Sequence, residues 1–197
     1  MNGQIIVFIL IVFVLYLIPR YPNPTVIKNF ITESERRHII QEASGKLETS
    51  MISRNKRVDE SIRKSETAWL SREDPVIANV MERCLKYTDR PLRNCEKLQV
   101  IRYRPGGHYK PHQDAFRDDK NMRLYTFILA LNDGYEGGET VFPTLNKSYK
   151  LQAGDALFFD TVDNYNLMTS KALHGGNPVK VGDKWICNLW VRKYAHA

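Results

Sequence analysis

Two patterns of apolar spacing divide the chain near residue 97. Ahead of it, apolar residues recur at helical intervals. "FITESERRHIIQEASG" reads as one helix, with Thr32 and Glu35 spaced as a capping box and Gly45 as the stop. "EDPVIANVMERCLKYTD" reads as a second, capped by Asp74 and entered through Pro75. Within it Val76, Ile77, Val80, Met81, Cys84 and Leu85 recur at core-facing positions. The stretch 46–66 between the helices is polar and charged and reads as a mobile loop. Beyond residue 97 the spacing changes to short segments rich in β-branched and aromatic residues. These are "KLQVIRY", "RLYTFILALND", "ETVFP", "ALFFD", "KALHGG" and "KWICNLWVRKY". "RPGG", "DGYEGG", "QAGD" and "KVGD" supply turns between them. Short strands in series imply a sandwich, a barrel or a jelly roll, here with helices packed on the outside of the roll.

The first twenty residues follow neither pattern. "IIVFILIVFVLYLI", residues 5–18, is unbroken apolar sequence. A spanning helix takes about 20 residues, so this run fits a short signal-anchor or a signal-peptide core. No small-residue cleavage site follows it, which favours an uncleaved anchor. A buried core helix would show a polar face, and this run has none. "RYPNPT" at 20–25 then reads as a stiff linker. The expected division is a signal-anchor at 1–20 and one folded domain at 21–197.

The formal charge of +7 admits acidic partners, but Lys and Arg are dispersed and the densest cluster, "RNKR", is followed by Asp59 and Glu60. A charged soluble surface is therefore preferred to nucleic-acid binding. Cys84, Cys95 and Cys187 are too few for a disulfide scaffold. In an oxidising lumen Cys84 and Cys95 could pair; three free buried thiols are the alternative. Asn146-Lys147-Ser148 is a glycosylation sequon if the chain is secretory.

Candidate chemistry starts at "HYKPHQDAF". On a strand, His112 and Asp114 would point to one side and could share an ion. Two ligands are a weak signal, so a third is needed. His38 lies beside two arginines on the first helix and reads as solvated, and His196 lies in the tail. His174 closes a strand segment just before two glycines, where a ligand can project into an open mouth. Two histidines and a carboxylate form the facial triad of non-haem Fe(II) oxygenases. Structural zinc competes, but it favours a closed, cysteine-rich shell that no cysteine spacing here supplies. Lys184 opens an apolar strand. It is either an exposed strand-end charge or, if the strand lines a cavity, a buried ammonium that needs an anion.

"LQVIRYRPGGHYKPHQD", "EGGETVFP", "GDALFF" and "LHGGNPVKVGDKW" resemble, in order and spacing, the catalytic domain of the prolyl 4-hydroxylase family, the 2-oxoglutarate- and Fe(II)-dependent dioxygenases. The resemblance spans roughly residues 24–193. It implies an α+β fold with a double-stranded β-helix (jelly roll) core and N-terminal helices. It implies iron ligands His112, Asp114 and His174, and Lys184 on the far carboxylate of 2-oxoglutarate with Tyr103 and Thr140 beside it. Tyr109, Arg123 and Trp190 would shape the peptide groove. Outside the resemblance, Trp190 and Tyr109 read equally as core aromatics and Arg123 as a surface charge.

The implied activity is hydroxylation of a peptidyl proline coupled to oxidative decarboxylation of 2-oxoglutarate to succinate and CO2. Its cofactors are Fe(II), 2-oxoglutarate, O2 and L-ascorbate. A lysine rather than an arginine at 184 favours the prolyl 4-hydroxylase branch. The chain lacks the long region that precedes the catalytic domain in animal collagen hydroxylase subunits, so no obligate disulfide-isomerase partner is expected. A proline-containing peptide or protein substrate, a membrane contact through the anchor and the endoplasmic reticulum lumen are expected; nucleic acid is not. Two alternatives stand beside this. The same iron chemistry could act on another residue or a small molecule, or the chain could be an inactive membrane-anchored peptide-binding module.

Overall fold

A computed structural model describes residues 17–52, 57–117 and 119–196. In chain order its elements are β1 (Thr25–Ile27), α1 (Glu33–Ser44), β2 (Glu48–Thr49), β3 (Arg63–Lys64), β4 (Glu66–Leu70), α2 (Pro75–Leu85), β5 (Leu98–Tyr103) and β6 (His108–His112). There follow β7 (Arg123–Ala130), β8 (Glu136–Gly137), β9 (Thr140–Phe142), β10 (Lys147–Tyr149), β11 (Ala156–Asp160), β12 (His174–Gly176), β13 (Val179–Val181) and β14 (Lys184–Arg192).

Both helices start as their sequences require. Thr32 accepts from the Glu35 amide while Glu35 reaches back to the Thr32 amide. Asp74 accepts from the amides of Val76 and Ile77 at 2.8 and 3.1 Å. His38, expected to be solvated, lies with its Nε2 2.7 Å from the other Asp74 oxygen. One carboxylate thus caps α2 and ties it to α1.

The strands form a seven-stranded sheet, β1-β11-β7-β14-β5-β4-β2, and a five-stranded sheet, β10-β9-β12-β6-β3, with β13-β8 as a small ribbon. Every pairing is antiparallel, as a jelly roll requires. The large sheet is covered on both faces. Leu98, Val100, Phe127, Leu129, Cys187 and Leu189 pack against Ile39, Ala43, Ile77, Val80, Met81 and Cys84 of the helices. Ile101, Ile128 and Ile186, on the other face, meet Phe142, Leu157 and Phe159 in the space between the sheets. Two-sided burial explains why "RLYTFILAL" is a nearly continuous apolar run rather than an alternating one.

Three expectations change, and a fourth lies largely outside the described residues. The stretch 46–66 is not simply a loop: β2 extends the large sheet, β3 extends the small one, and Ile52 bridges Arg57. "KALHGG" is not one strand but a 3-10 turn at Ser170–Ala172 followed by β12. Cys84, Cys95 and Cys187 are free and buried, so Cys84 and Cys95 do not pair. Residues 1–16, which hold most of the expected anchor, lie outside the described residues; no described helix is long and apolar enough to cross a membrane.

Candidate active site

The site lies between the two sheets. His112 ends β6 and His174 begins β12, and the two are cross-strand partners. Asp114 is not on the strand face that its spacing suggests. β6 stops at His112, and the following bend turns the Asp114 carboxylate inward. Its Oδ1 lies 3.8 Å from His112 Nε2 and its Oδ2 lies 3.6 Å from His174 Nε2. One donor atom from each residue falls within 4.8 Å of the others, and no other group of three or more His, Cys, Asp or Glu among the described residues does so.

The tautomers follow from the backbone. His112 Nδ1 lies 2.9 Å from the Lys110 carbonyl, and His174 Nδ1 lies 3.0 Å from the Ala172 carbonyl. A carbonyl oxygen only accepts, so each Nδ1–H donates to it, and each Nε2 is turned toward Asp114. Thr126 Oγ1 on β7 donates to Asp114 Oδ2 at 2.7 Å and fixes the carboxylate from the opposite sheet. Burial, and then the neighbouring His174, hold the His112 imidazole well below its usual range, so it is neutral at physiological pH. Burial pushes the Asp114 carboxyl up, but His174, His112, Arg123 and the Thr126 bond outweigh it, so it stays ionised. Two imidazole Nε2 atoms and one carboxylate, with coordination positions left open, fit a ferrous ion.

Around the histidines, Tyr109 stacks on His112 with centroids 3.6 Å apart, and Phe142 and Phe159 flank His174 at 5.5 and 4.7 Å. A cavity of about 30 Å³ connects both histidines with Tyr103, Tyr109, Thr140 and Lys184. Lys184 is buried, with 4% of its surface exposed, so it is no exposed strand-end charge. Its Nζ donates to the Gly138 carbonyl at 2.7 Å, and no carboxylate among the described residues pairs with it. Burial, and next the charge of Lys150, bring its pKa down to about 8, with Glu139 opposing. Burial raises the Tyr103 phenol, which therefore remains a donor. A buried ammonium facing hydroxyls across a small cavity fits a carboxylate ligand.

Arg123 is also buried rather than on the surface. It donates to Glu96 through Nε at 2.6 Å and Nη2 at 2.8 Å, and its guanidinium lies 3.6 Å from the Trp190 ring centroid. Trp190 and Arg123 line a groove of about 340 Å³ with Arg63, Thr67, Trp69, Gln99 and Met51. Tyr109 lines the metal cavity instead, under the Arg63 guanidinium at 4.9 Å. Sequence reasoning missed Thr126, Glu96, Arg63 and Gln99. For Thr126 and Gln99 the only signal was a polar residue within an otherwise apolar strand; Arg63, beside Lys64 on β3, and Glu96, ahead of β5, carried none.

A jelly roll carrying two histidines and an aspartate at its mouth defines a non-haem iron oxygenase. Residues 98–192 match the model of the 2OG-Fe(II) oxygenase superfamily. A protein of Acanthamoeba polyphaga mimivirus named "Putative prolyl 4-hydroxylase" is 35% identical over 184 residues, covering 88% of this chain and 75% of that one. Prolyl 4-hydroxylase 1 of Arabidopsis thaliana is 30% identical, with coverage of 88% and 70%. The crystal structure of a viral collagen prolyl hydroxylase from Paramecium Bursaria Chlorella virus-1, a 2OG complex, superposes with a TM-score of 0.73 at 30% identity. That match covers 88% of this chain and 97% of the other. The chain belongs to the prolyl 4-hydroxylase family of 2-oxoglutarate- and Fe(II)-dependent dioxygenases.

Proposed function

We propose that this chain hydroxylates proline in a peptide or protein, with His112 Nε2, the Asp114 carboxylate and His174 Nε2 holding Fe(II). Lys184 would take the far carboxylate of 2-oxoglutarate, with Tyr103 and Thr140 as hydroxyl partners. The observation that carries the reading is the uncompensated Lys184 ammonium, buried in the same cavity as two metal-competent imidazoles. With iron bound, 2-oxoglutarate and O2 supply the oxidant, giving succinate, CO2 and one oxygen atom for the target carbon.

The protein's own part is positioning. The Lys110 and Ala172 carbonyls orient the imidazoles, and Thr126 orients the carboxylate. Ile128 and Ile186 line the cavity with apolar surface and keep bulk water from the reacting carbon. Gly138 holds the Lys184 ammonium until the anion exchanges for its carbonyl. Arg123 and Trp190 form the groove wall along which the peptide approaches, and Tyr109 bounds the metal cavity it reaches. Ascorbate would restore iron oxidised in turnovers without peptide.

The test measures succinate from Fe(II), ascorbate and 2-oxoglutarate with and without proline-rich peptides, and the peptide mass. Peptide-stimulated succinate with an oxidised proline supports the reading; succinate without peptide oxidation removes proline as the target.

We further infer a membrane-tethered enzyme of the secretory lumen. Its support is the apolar run at residues 5–18 and the exposed Asn146 of the sequon, on a left-handed turn ahead of β10. Glycosidase-sensitive mass on Asn146 in a secretory host would support luminal placement; its absence from membrane-bound protein would count against it.

A further inference from the structure

Polar atoms that are buried and unpaired are rare, and they cost about 1–3 kcal/mol each. Two of those in this protein belong to groove-lining residues. Gln99 is 4% exposed and its Oε1 has no partner; Trp190 is 5% exposed and its Nε1 has none. One is an acceptor, the other a donor.

The sheet register says where they sit. Trp69, Gln99, Asn188 and Ile128 are successive cross-strand partners on β4, β5, β14 and β7. Partners in an antiparallel row share a face. Trp69 and Gln99 line the groove; Asn188 and Ile128 line the metal cavity. The row therefore passes from the groove directly into the cavity, and Gln99 stands at the junction. Asn188 Oδ1 is a further buried acceptor without a partner.

An extended peptide laid along this row presents main-chain N–H and C=O groups that it cannot satisfy itself. A target proline has no N–H of its own. Any N–H offered to Gln99 must come from a residue beside it. We propose that Gln99 reads the substrate main chain: its Oε1 accepts the N–H of a residue flanking the target proline, while Trp190 Nε1 donates to a neighbouring carbonyl. The proposal rests on the peptidyl-proline reading above and adds the group that sets the register of the peptide.

The test uses the full chain with Fe(II), 2-oxoglutarate and a proline peptide, plus a series in which one backbone amide at a time becomes an ester. An ester removes one N–H. In the unaltered protein a single ester beside the target proline raises peptide KM about tenfold, in line with one lost hydrogen bond. Gln99→Leu raises peptide KM by a similar factor for the parent peptide, and the same ester then adds nothing. The rise falls on peptide KM and not on KM for 2-oxoglutarate. Gln99→Glu, which keeps the acceptor, restores the parent KM and the sensitivity to that ester. Equal ester penalties in the unaltered protein and Gln99→Leu overturn this proposal alone. Absence of proline hydroxylation in the unaltered protein overturns the functional reading and this one with it.

Discussion

Lys184 and Tyr103 are cross-strand partners at the cavity end of β14 and β5, with the ammonium 5.4 Å from the phenol ring centroid. The ammonium is the group that loses its proton near pH 8. Binding of a dicarboxylate needs it charged, so 2-oxoglutarate affinity should fall as pH rises through about 8. The stability sign is opposite. The folded pKa lies below the ordinary lysine value of 10.5, so the unfolded chain holds more protons between about pH 8 and 10.5. Stability of the ligand-free protein should rise across that window. Lys184→Met should remove the pH trend, weaken 2-oxoglutarate binding at least tenfold, and leave the ligand-free protein no less stable. Calorimetric titration at several pH values and thermal melts check all three.

Thr126 reaches Asp114 from the opposite sheet and touches neither histidine ligand atom through any recorded bond. Thr126→Val keeps the shape and deletes the hydrogen bond. Metal affinity should drop about 10- to 100-fold, read by competition with a chromogenic chelator, while His112→Ala should abolish iron-dependent turnover.

Gly175 follows His174 where β12 runs close against β6. A Cβ there would sit 2.9 Å from the Tyr109 carbonyl oxygen and 3.0 Å from the Pro111 nitrogen, both backbone. Gly175→Ala should push the strands apart and separate the two histidines, with loss of metal binding. Gly45→Ala, where a Cβ meets nothing within 4 Å, is the control that should leave binding intact.

Glu96 is a buried carboxylate between two guanidiniums, accepting from Arg123 and from Arg192 Nε at 2.8 Å. Glu96→Gln removes the bidentate carboxylate of the buried Arg123, while Arg192 keeps Asp119 at 2.7 Å. Stability should fall by about 3 kcal/mol or more, measured by denaturant unfolding, with a larger penalty than Glu96→Gln combined with Arg123→Met.

What could be read from the sequence was local. The capping box at Thr32, the Asp74 cap and the strand punctuation are set by neighbours a few residues away, and they stand. The three metal-competent residues were legible because histidine is scarce here. Three misreadings share a cause, since each depends on a partner far along the chain. His38 meets Asp74 across two helices. Arg123 is neutralised by Glu96 from 27 positions earlier. The charged segment 46–66 finds edge pairing on both sheets. Asp114 misled differently: spacing of two suggested one strand face, but the strand ended and a bend did the aiming. Gln99 looked like one polar interruption in "LQVIRY", because nothing local distinguishes an unpaired amide from a solvated one.

β14 carries Lys184 at one end and Trp190 six positions later, both on the inner face. Six residues of extended chain span about 20 Å. Covalent backbone, rather than side-chain packing, thus sets the interval between the co-substrate end and the groove end. The outer rim of the groove comes instead from the short β2 and its neighbours, Glu48 to Ile52. In the proposed reading, fuel and cargo are gauged on one rigid rod while the rim is a separate, replaceable part. Such a protein can be given a new clientele by rewriting a few rim residues, with its engine left in tune.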